Sequence, residues 1–193
     1  KNTTTAPSPP AELGIGADLT VVPAQGSSPA MDFADTGLPF IPPSPNLRSL
    51  EALFHYPGVC LMEGTNLSVG RGTDHPFEQV GAPWLDTTRV LARLRAGGLP
   101  GVRFAGVRFR PKRPGDDKYP NTTVAGIRLT VTDRDAYDPT ATAVTMMAVI
   151  RAVHPGKLTW TPGQFDRLAG NSALRLALSG GAQPAAAMEG WPA

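Results

Sequence analysis

A chain of 193 residues with 41% hydrophobic content is long enough for one domain, or one domain and part of another, with a buried core. Its net charge of +2 is too mild for the dense basic stripe of a nucleic-acid binder, and no apolar run approaches the ~20 residues that cross a bilayer. One cysteine excludes an internal disulfide framework and a cysteine-built zinc site.

Residues 1–16 and 181–193 are mostly Pro, Ala, Thr, Ser and Gly, too poor in apolar surface to repay ordering, and are expected as tails. The run Ala17–Pro23, ADLTVVP, is β-branched and bounded by Gly16, which predicts one strand in need of a sheet. Its partners are either the later strands or a sheet in a preceding region. LPFIPPSPN, residues 38–46, has four prolines in nine residues, which excludes helix and predicts a stiff interdomain-like connection. Residues 17–46 are accordingly expected to be the end of one domain plus a connector.

From 47 to 180 the pattern is that of an α+β domain. Ser49 caps a short helix with Leu50, Leu53 and Phe54 on its apolar face, stopped by Pro57 and Gly58. Asp86 caps a helix carrying Val90, Leu91 and Leu94 at helical spacing. Val102–Pro111 and Val124–Asp133 are strand-like and joined by a polar linker, so they predict a hairpin. The shift of the inward set from Val102 and Phe104 to Val107 and Phe109 calls for a bulge at Ala105 and Gly106. Asp138 and Pro139 open a helix whose Ala143, Met146, Met147, Ile150 and Val153 form a core stripe, and shorter helices fit 162–169 and 172–179.

Chemistry concentrates in Glu63–Thr73, EGTNLSVGRGT, which holds one carboxylate, one amide, one guanidinium, three hydroxyls and three glycines in eleven residues. Gly70 and Gly72 flank Arg71, allowing backbone conformations that aim successive N–H groups at an anion, while the guanidinium offers a fork matched to a carboxylate or phosphate. The bland alternative is a tight connector whose Glu63 and Asn66 cap neighbouring backbone, and composition leaves both open. The loop lacks the lysine and spacing of a Walker motif, and no GxSxG elbow is present. Cys60, in VCLME, reads as an inert core thiol. His55, His75 and His154 are too scattered for a metal site and read as surface or capping residues. The Arg and Lys residues from Arg103 to Arg113 read as the solvated face of a strand.

The succession DLTVVP, PPSPN (Pro42–Asn46), YPGVCLMEGTNLSVGRGT (Tyr56–Thr73) and HPFEQVGAPWLD (His75–Asp86) resembles the bacterial exo-β-N-acetylmuramidases, long catalogued as a domain of unknown function. The likeness is dense from Asp18 to about Phe109 and continues loosely to Gly180. It implies a glycoside hydrolase that releases N-acetylmuramic acid from the non-reducing end of peptidoglycan fragments, with the active site between a Rossmann-like N-terminal domain and an α+β C-terminal domain. The likeness spans the end of the first domain and all of the second; the N-terminal half, with its PEHG-like acidic motif, has no counterpart here. On this reading Arg71 is the clamp for the lactyl carboxylate, Thr65, Asn66 and Thr73 suit hydroxyl or acetamido groups, and Glu63 is the candidate general acid or base. Asn46 and Glu78 join the substrate-binding set, with Glu78 and Asp86 standing behind Glu63 as carboxylates.

The resemblance implies no cofactor or metal, a peptidoglycan-derived sugar as ligand, an N-terminal domain supplied in cis or in trans, and an extracytoplasmic bacterial location. Two departures are visible: Val69 stands where the family usually has glutamate, in SEGRGT, and Phe40 where it usually has tryptophan. The competing expectation is a non-catalytic module that grips muropeptides.

Overall fold

The computed structural model describes residues 20–191, apart from 27 and 29. It divides into two compact units, Lys1–Pro39 and Phe40–Ala193. In the first, the expected strand over 17–23 is not formed where it can be followed: residues 17–19 lie outside the described set and 20–23 are irregular and exposed. A lone β-branched run has no stability without a partner edge. Among the described residues of this unit, Phe33–Thr36 form a 3-10 turn with Asp32 at its N-cap.

The second unit is α+β, as the sequence predicts. Helix α1 (Leu50–Val59) runs into a 3-10 helix (Cys60–Gly64), followed by β1 (Gln79–Ala82), α2 (Thr87–Ala96), β2 (Val102–Phe109), β3 (Val124–Val131), α3 (Pro139–Val153), α4 (Pro162–Leu168), α5 (Ala173–Gly180) and α6 (Pro184–Ala187). The strands form an antiparallel sheet in the order β1-β3-β2. Caps appear where short polar side chains promised them: Ser49, Asp86 and Asp138 accept from the N–H groups of Ala52, Arg89 and Ala141 at 3.0, 3.0 and 2.8 Å. The stripe Ala143, Met146, Met147, Ile150 and Val153 is buried along α3, as predicted.

Several expectations are corrected. Helix α1 does not stop at Pro57 and Gly58 but passes through both. Gly58 presses on α3 so closely that a Cβ there would stand 1.9 Å from the carbonyl oxygen of Pro139, and this packing offsets the hydrogen bond that Pro57 cannot donate. The helix is also rotated from its expected face. Ala52, His55, Gly58 and Val59 are the buried residues, and Phe54 lies under the Arg134 guanidinium, 4.8 Å from its ring centre. His55 is therefore no surface histidine: it is fully buried, with Nδ1 2.7 Å from the Tyr137 hydroxyl and Nε2 3.2 Å from Glu51. Burial pushes its pKa down, against the opposing pull of Glu51.

The hairpin forms, but with no bulge: the β2–β3 register is uninterrupted from Val102 opposite Val131 to Phe109 opposite Val124. Phe104 and Phe109 lie on opposite faces because both faces are covered at different ends. Phe104 joins Ile127, Leu129 and Val80 in the core, whereas the Phe109 ring lies against Gly126 and Gly81 on the reverse. Strand β1 was not anticipated, being four residues of QVGA inside a turn-rich run. Finally, residues 181–191 contain α6, where Ala187 is buried and Ala182 and Met188 pack on the core.

Candidate functional site

The segment from Thr65 to Thr73 runs along the outer edge of β1. Ser68 and Gly81 exchange both backbone hydrogen bonds, at 2.8 and 2.9 Å, so the loop is pinned to the sheet at its centre. Leu67 and Val69 are fully buried and anchor it in the core. The Val69 side chain is thus a packing element; the glutamate-to-valine departure falls on a core position. Beyond it the chain turns sharply, with Gly70 at φ 79° and Gly72 at φ 75°, conformations costly to any side chain. A Cβ on Gly72 would also meet the Lys112 carbonyl oxygen at 2.7 Å.

Between these glycines Arg71 projects back across the loop. Its Nε donates to Glu63 Oε1 at 2.5 Å, and its guanidinium carbon lies 5.1 Å from the centre of the Phe77 ring. Among the described residues its two Nη groups have no hydrogen-bond acceptor, and its side chain is 23% exposed against 11% for Glu63. One edge of the fork is therefore anchored, and the other is left open. Phe77, which supports the stack, has φ 64°, a strained conformation of order 1–3 kcal/mol for a side chain of this size. It is held by its N–H bond to the Val69 carbonyl at 2.7 Å and by the edge of Tyr56, whose ring centre is 4.9 Å away.

The other predicted residues are distributed unequally. Thr73 is close to Arg71 in the chain and half-buried, its hydroxyl donating to the Gly70 carbonyl at 2.6 Å and accepting from Gln79 Nε2 at 2.9 Å. Thr65 is buried, with its hydroxyl bonded to the Met62 carbonyl at 2.7 Å. Asn66 uses both ends of its amide on the α3–α4 connection, donating to the Lys157 carbonyl at 2.9 Å and accepting from Thr159 N–H at 3.0 Å. These two hold the loop in place. Glu78 receives the Ser49 hydroxyl at 2.6 Å and stands 2.9 Å from His75 Nδ1, tying the start of α1 to the loop. Asn46 lies in the turn before α1, where its N–H meets Ser44 Oγ at 3.4 Å; no contact joins it to Arg71. Asp86 is spent as the α2 cap, and its own N–H donates to His154 Nε2 at 3.0 Å, so that histidine does cap.

Sequence reading missed the other wall. The β2–β3 connection folds over the loop: Lys118 Nζ donates to the Glu63 carbonyl at 2.8 Å, Tyr119 OH to the Asn66 carbonyl at 2.7 Å, and Lys112 N–H to the Gly72 carbonyl at 2.8 Å. Burial pushes the Lys118 ammonium below its usual range, opposed by Asp116, whose carboxylate is 3.9 Å away, and by Glu63. One signal was available: residues 110–123 make a hairpin connection much longer than the roughly 2–5 residues usual, and long connections carry function or packing of their own. Cys60 sits at this end of the fold with its thiol pushed up to about 11 by burial and the nearby Glu63, which disfavours a thiolate. Among the described residues no three His, Cys, Asp or Glu side chains gather to hold a metal ion, and no helix is long and apolar enough to cross a membrane.

The chain is 41% identical over 171 residues to the peptidoglycan β-N-acetylmuramidase NamZ of Bacillus subtilis, covering 88% of this chain and 41% of that protein. It therefore spans less than half the length of the curated relative it matches. Two solved structures of DUF1343 family proteins from Bacteroides fragilis share the fold. One superposes with a TM-score of 0.77 at 22% identity, covering 84% of this chain and 43% of the other. The second has a TM-score of 0.51 at 26% identity, covering 74% and 36%. Residues 54–193, a stretch holding Glu63, Arg71 and all of the sheet, match the family described as exo-β-N-acetylmuramidase NamZ, C-terminal, and the chain belongs to that family.

Proposed function

We propose that this chain is the substrate-gripping C-terminal part of an exo-β-N-acetylmuramidase that removes terminal N-acetylmuramic acid from peptidoglycan fragments. The observation that carries the reading is the half-anchored guanidinium of Arg71. Glu63 and Phe77 fix its orientation, and both Nη groups remain for a planar, bidentate acceptor. The lactyl carboxylate distinguishes N-acetylmuramic acid from N-acetylglucosamine and has that shape and charge.

In this reading Thr73 and the exposed edge of Tyr56 border the sugar, and Glu63 acts first as the residue that positions Arg71. Glycosidases commonly use two carboxylates across the scissile bond. The engagement of Glu63 with Arg71 supports assigning at least one of them to a Rossmann-like N-terminal domain working with this one, in cis or in trans. The same engagement favours a second reading, a muropeptide-binding module without catalysis of its own. An extracytoplasmic bacterial location accompanies either reading, since intact wall fragments arise there, and cell-wall recycling is the corresponding physiological role.

The deciding experiment incubates the disaccharide N-acetylmuramyl-β-1,4-N-acetylglucosamine with the 193-residue chain, alone and with the N-terminal domain of the Bacillus relative added in trans. Release of N-acetylmuramic acid in the combined sample, lost on Arg71→Ala, is expected. No release in either sample, with binding intact, favours the non-catalytic module; neither release nor binding refutes both.

A further inference from the structure

Beside Gly72, the sheet and the β2–β3 connection form an open pocket of about 260 Å³. Arg108, Arg110, Lys112 and Arg128 are among its lining residues, against one carboxylate, Asp74; strand alternation turns the Arg108 side chain to the sheet face opposite Arg128. Among the described residues no acid forms an ion pair with any of the four. Like charges gathered in a concavity repel one another and raise the local concentration of anions.

The floor of the pocket is built rather than incidental. Gln79 is 2% exposed, and its amide oxygen accepts from an Arg128 Nη at 2.9 Å while its nitrogen donates to Thr73 Oγ1 at 2.9 Å. This chain orients the Arg128 guanidinium, whose Nε is buried and has no hydrogen-bond partner among the described residues. A buried, unsatisfied guanidinium nitrogen is uncommon and calls for an acceptor. His75 completes the rim, its Nδ1 held by Glu78 at 2.9 Å.

We propose that this pocket is an anion subsite, separate from the Arg71 clamp, that takes a single oxyanion substituent, phosphate ester or carboxylate, carried on a glycan. Its volume decides the size of the group. At about 260 Å³ it lies under the roughly 300–1,000 Å³ of sites that enclose whole small-molecule ligands, so what it encloses is a substituent, with the rest of the ligand outside its open mouth. Arg128 supplies the oriented fork, Lys112 and Arg110 the mobile charge at the mouth. The pocket stands on its own geometry and meets the clamp at Gly72 and at Thr73, whose hydroxyl receives the Gln79 amide; that the anion is carried on a glycan rests on the function proposed above.

The test titrates the 15N-labelled 193-residue chain with inorganic phosphate and, separately, with acetate, following the amide resonances of 72–79 and 126–130. Saturable shifts with at least one anion are expected, weakened at least tenfold in Arg128→Gln, about the loss that one charge-assisted hydrogen bond represents. Lys112→Ala, on an exposed side chain, repeats the measurement where Arg128→Gln disturbs folding. A response to phosphate alone identifies a phosphate ester as the substituent, and to acetate alone a carboxylate. No saturable shift with either anion, or shifts unchanged in both variants, overturns the proposal. Shifts that vanish in Arg71→Ala but survive Lys112→Ala also overturn it, because the anion then sits in the clamp and only the clamp reading stands.

Discussion

Replacing Arg71 by alanine separates a ligand clamp from a structural ion pair, because the two roles predict different readouts. In the folded chain Arg71 makes one hydrogen bond, to Glu63, and presents two Nη groups outward. A hydrogen bond to a charged group contributes about 1.5–3 kcal/mol, and a bidentate carboxylate on a partly exposed fork falls near 2–3 kcal/mol in all. At about 1.4 kcal/mol per decade, Arg71→Ala is predicted to weaken N-acetylmuramic acid binding by about 30- to 150-fold. N-acetylglucosamine, which lacks the lactyl carboxylate, is predicted to change less than about threefold. The same substitution leaves the Glu63 carboxylate, 11% exposed, without its partner, which costs about 1 kcal/mol once solvent screening is allowed for, a drop of about 2–4 °C in Tm at this chain length. The double variant Glu63→Gln with Arg71→Ala removes that uncompensated charge. It is predicted to recover most of the Tm loss and none of the affinity. Calorimetric titration of the wild type and the two variants with both sugars, alongside thermal melts, provides the assay. Equal weakening for the two sugars, or recovery of affinity in the double variant, would falsify the clamp and leave Arg71 as a strut of the loop.

Three further predictions test the frame and its electrostatics. Gly58→Ala places a methyl group 1.9 Å from the Pro139 carbonyl oxygen, so α1 and α3 must separate; a loss of about 1–3 kcal/mol is expected, and a Tm within 1 °C of wild type (about 0.5 kcal/mol) contradicts the close packing. His55, packed against Tyr137, Glu51 and, more distantly, Glu78, has a folded pKa below that of the unfolded chain, about 6.5. Its contribution is full above about pH 6.5 and is lost as pH falls from there through the folded pKa, since the unfolded chain takes the proton first. The wild-type Tm minus that of His55→Gln, measured across pH 8 to 5, is expected to shrink on acidification; a flat difference refutes the assignment. Cys60, with its thiol pushed up to about 11, carries very little thiolate at pH 8, so alkylation by iodoacetamide is expected to be far slower in the folded chain than after denaturation. Comparable rates in the two states reject a protected thiol.

What the sequence determined by itself was local. Short polar side chains ahead of apolar periodicity identified the helices capped by Ser49, Asp86 and Asp138, because a cap and the i, i+3, i+4 pattern are properties of adjacent residues. The dense polar loop around Arg71, and the order of blocks that places the chain in its family, were legible for the same reason. What only the tertiary structure decided was non-local. The passage of α1 through Pro57 depends on α3 some eighty residues away in the chain, and the regular β2–β3 register depends on two faces being covered at different ends. Thr65 and Asn66 look like ligand groups in one dimension; in three they are consumed by Met62, Lys157 and Thr159. Hydrogen-bonding capacity is visible in a residue type, but whether a partner within the fold has already taken it is settled by packing between distant segments. That division leaves Arg71 with an open edge and gathers the proposed anion pocket beside Gly72.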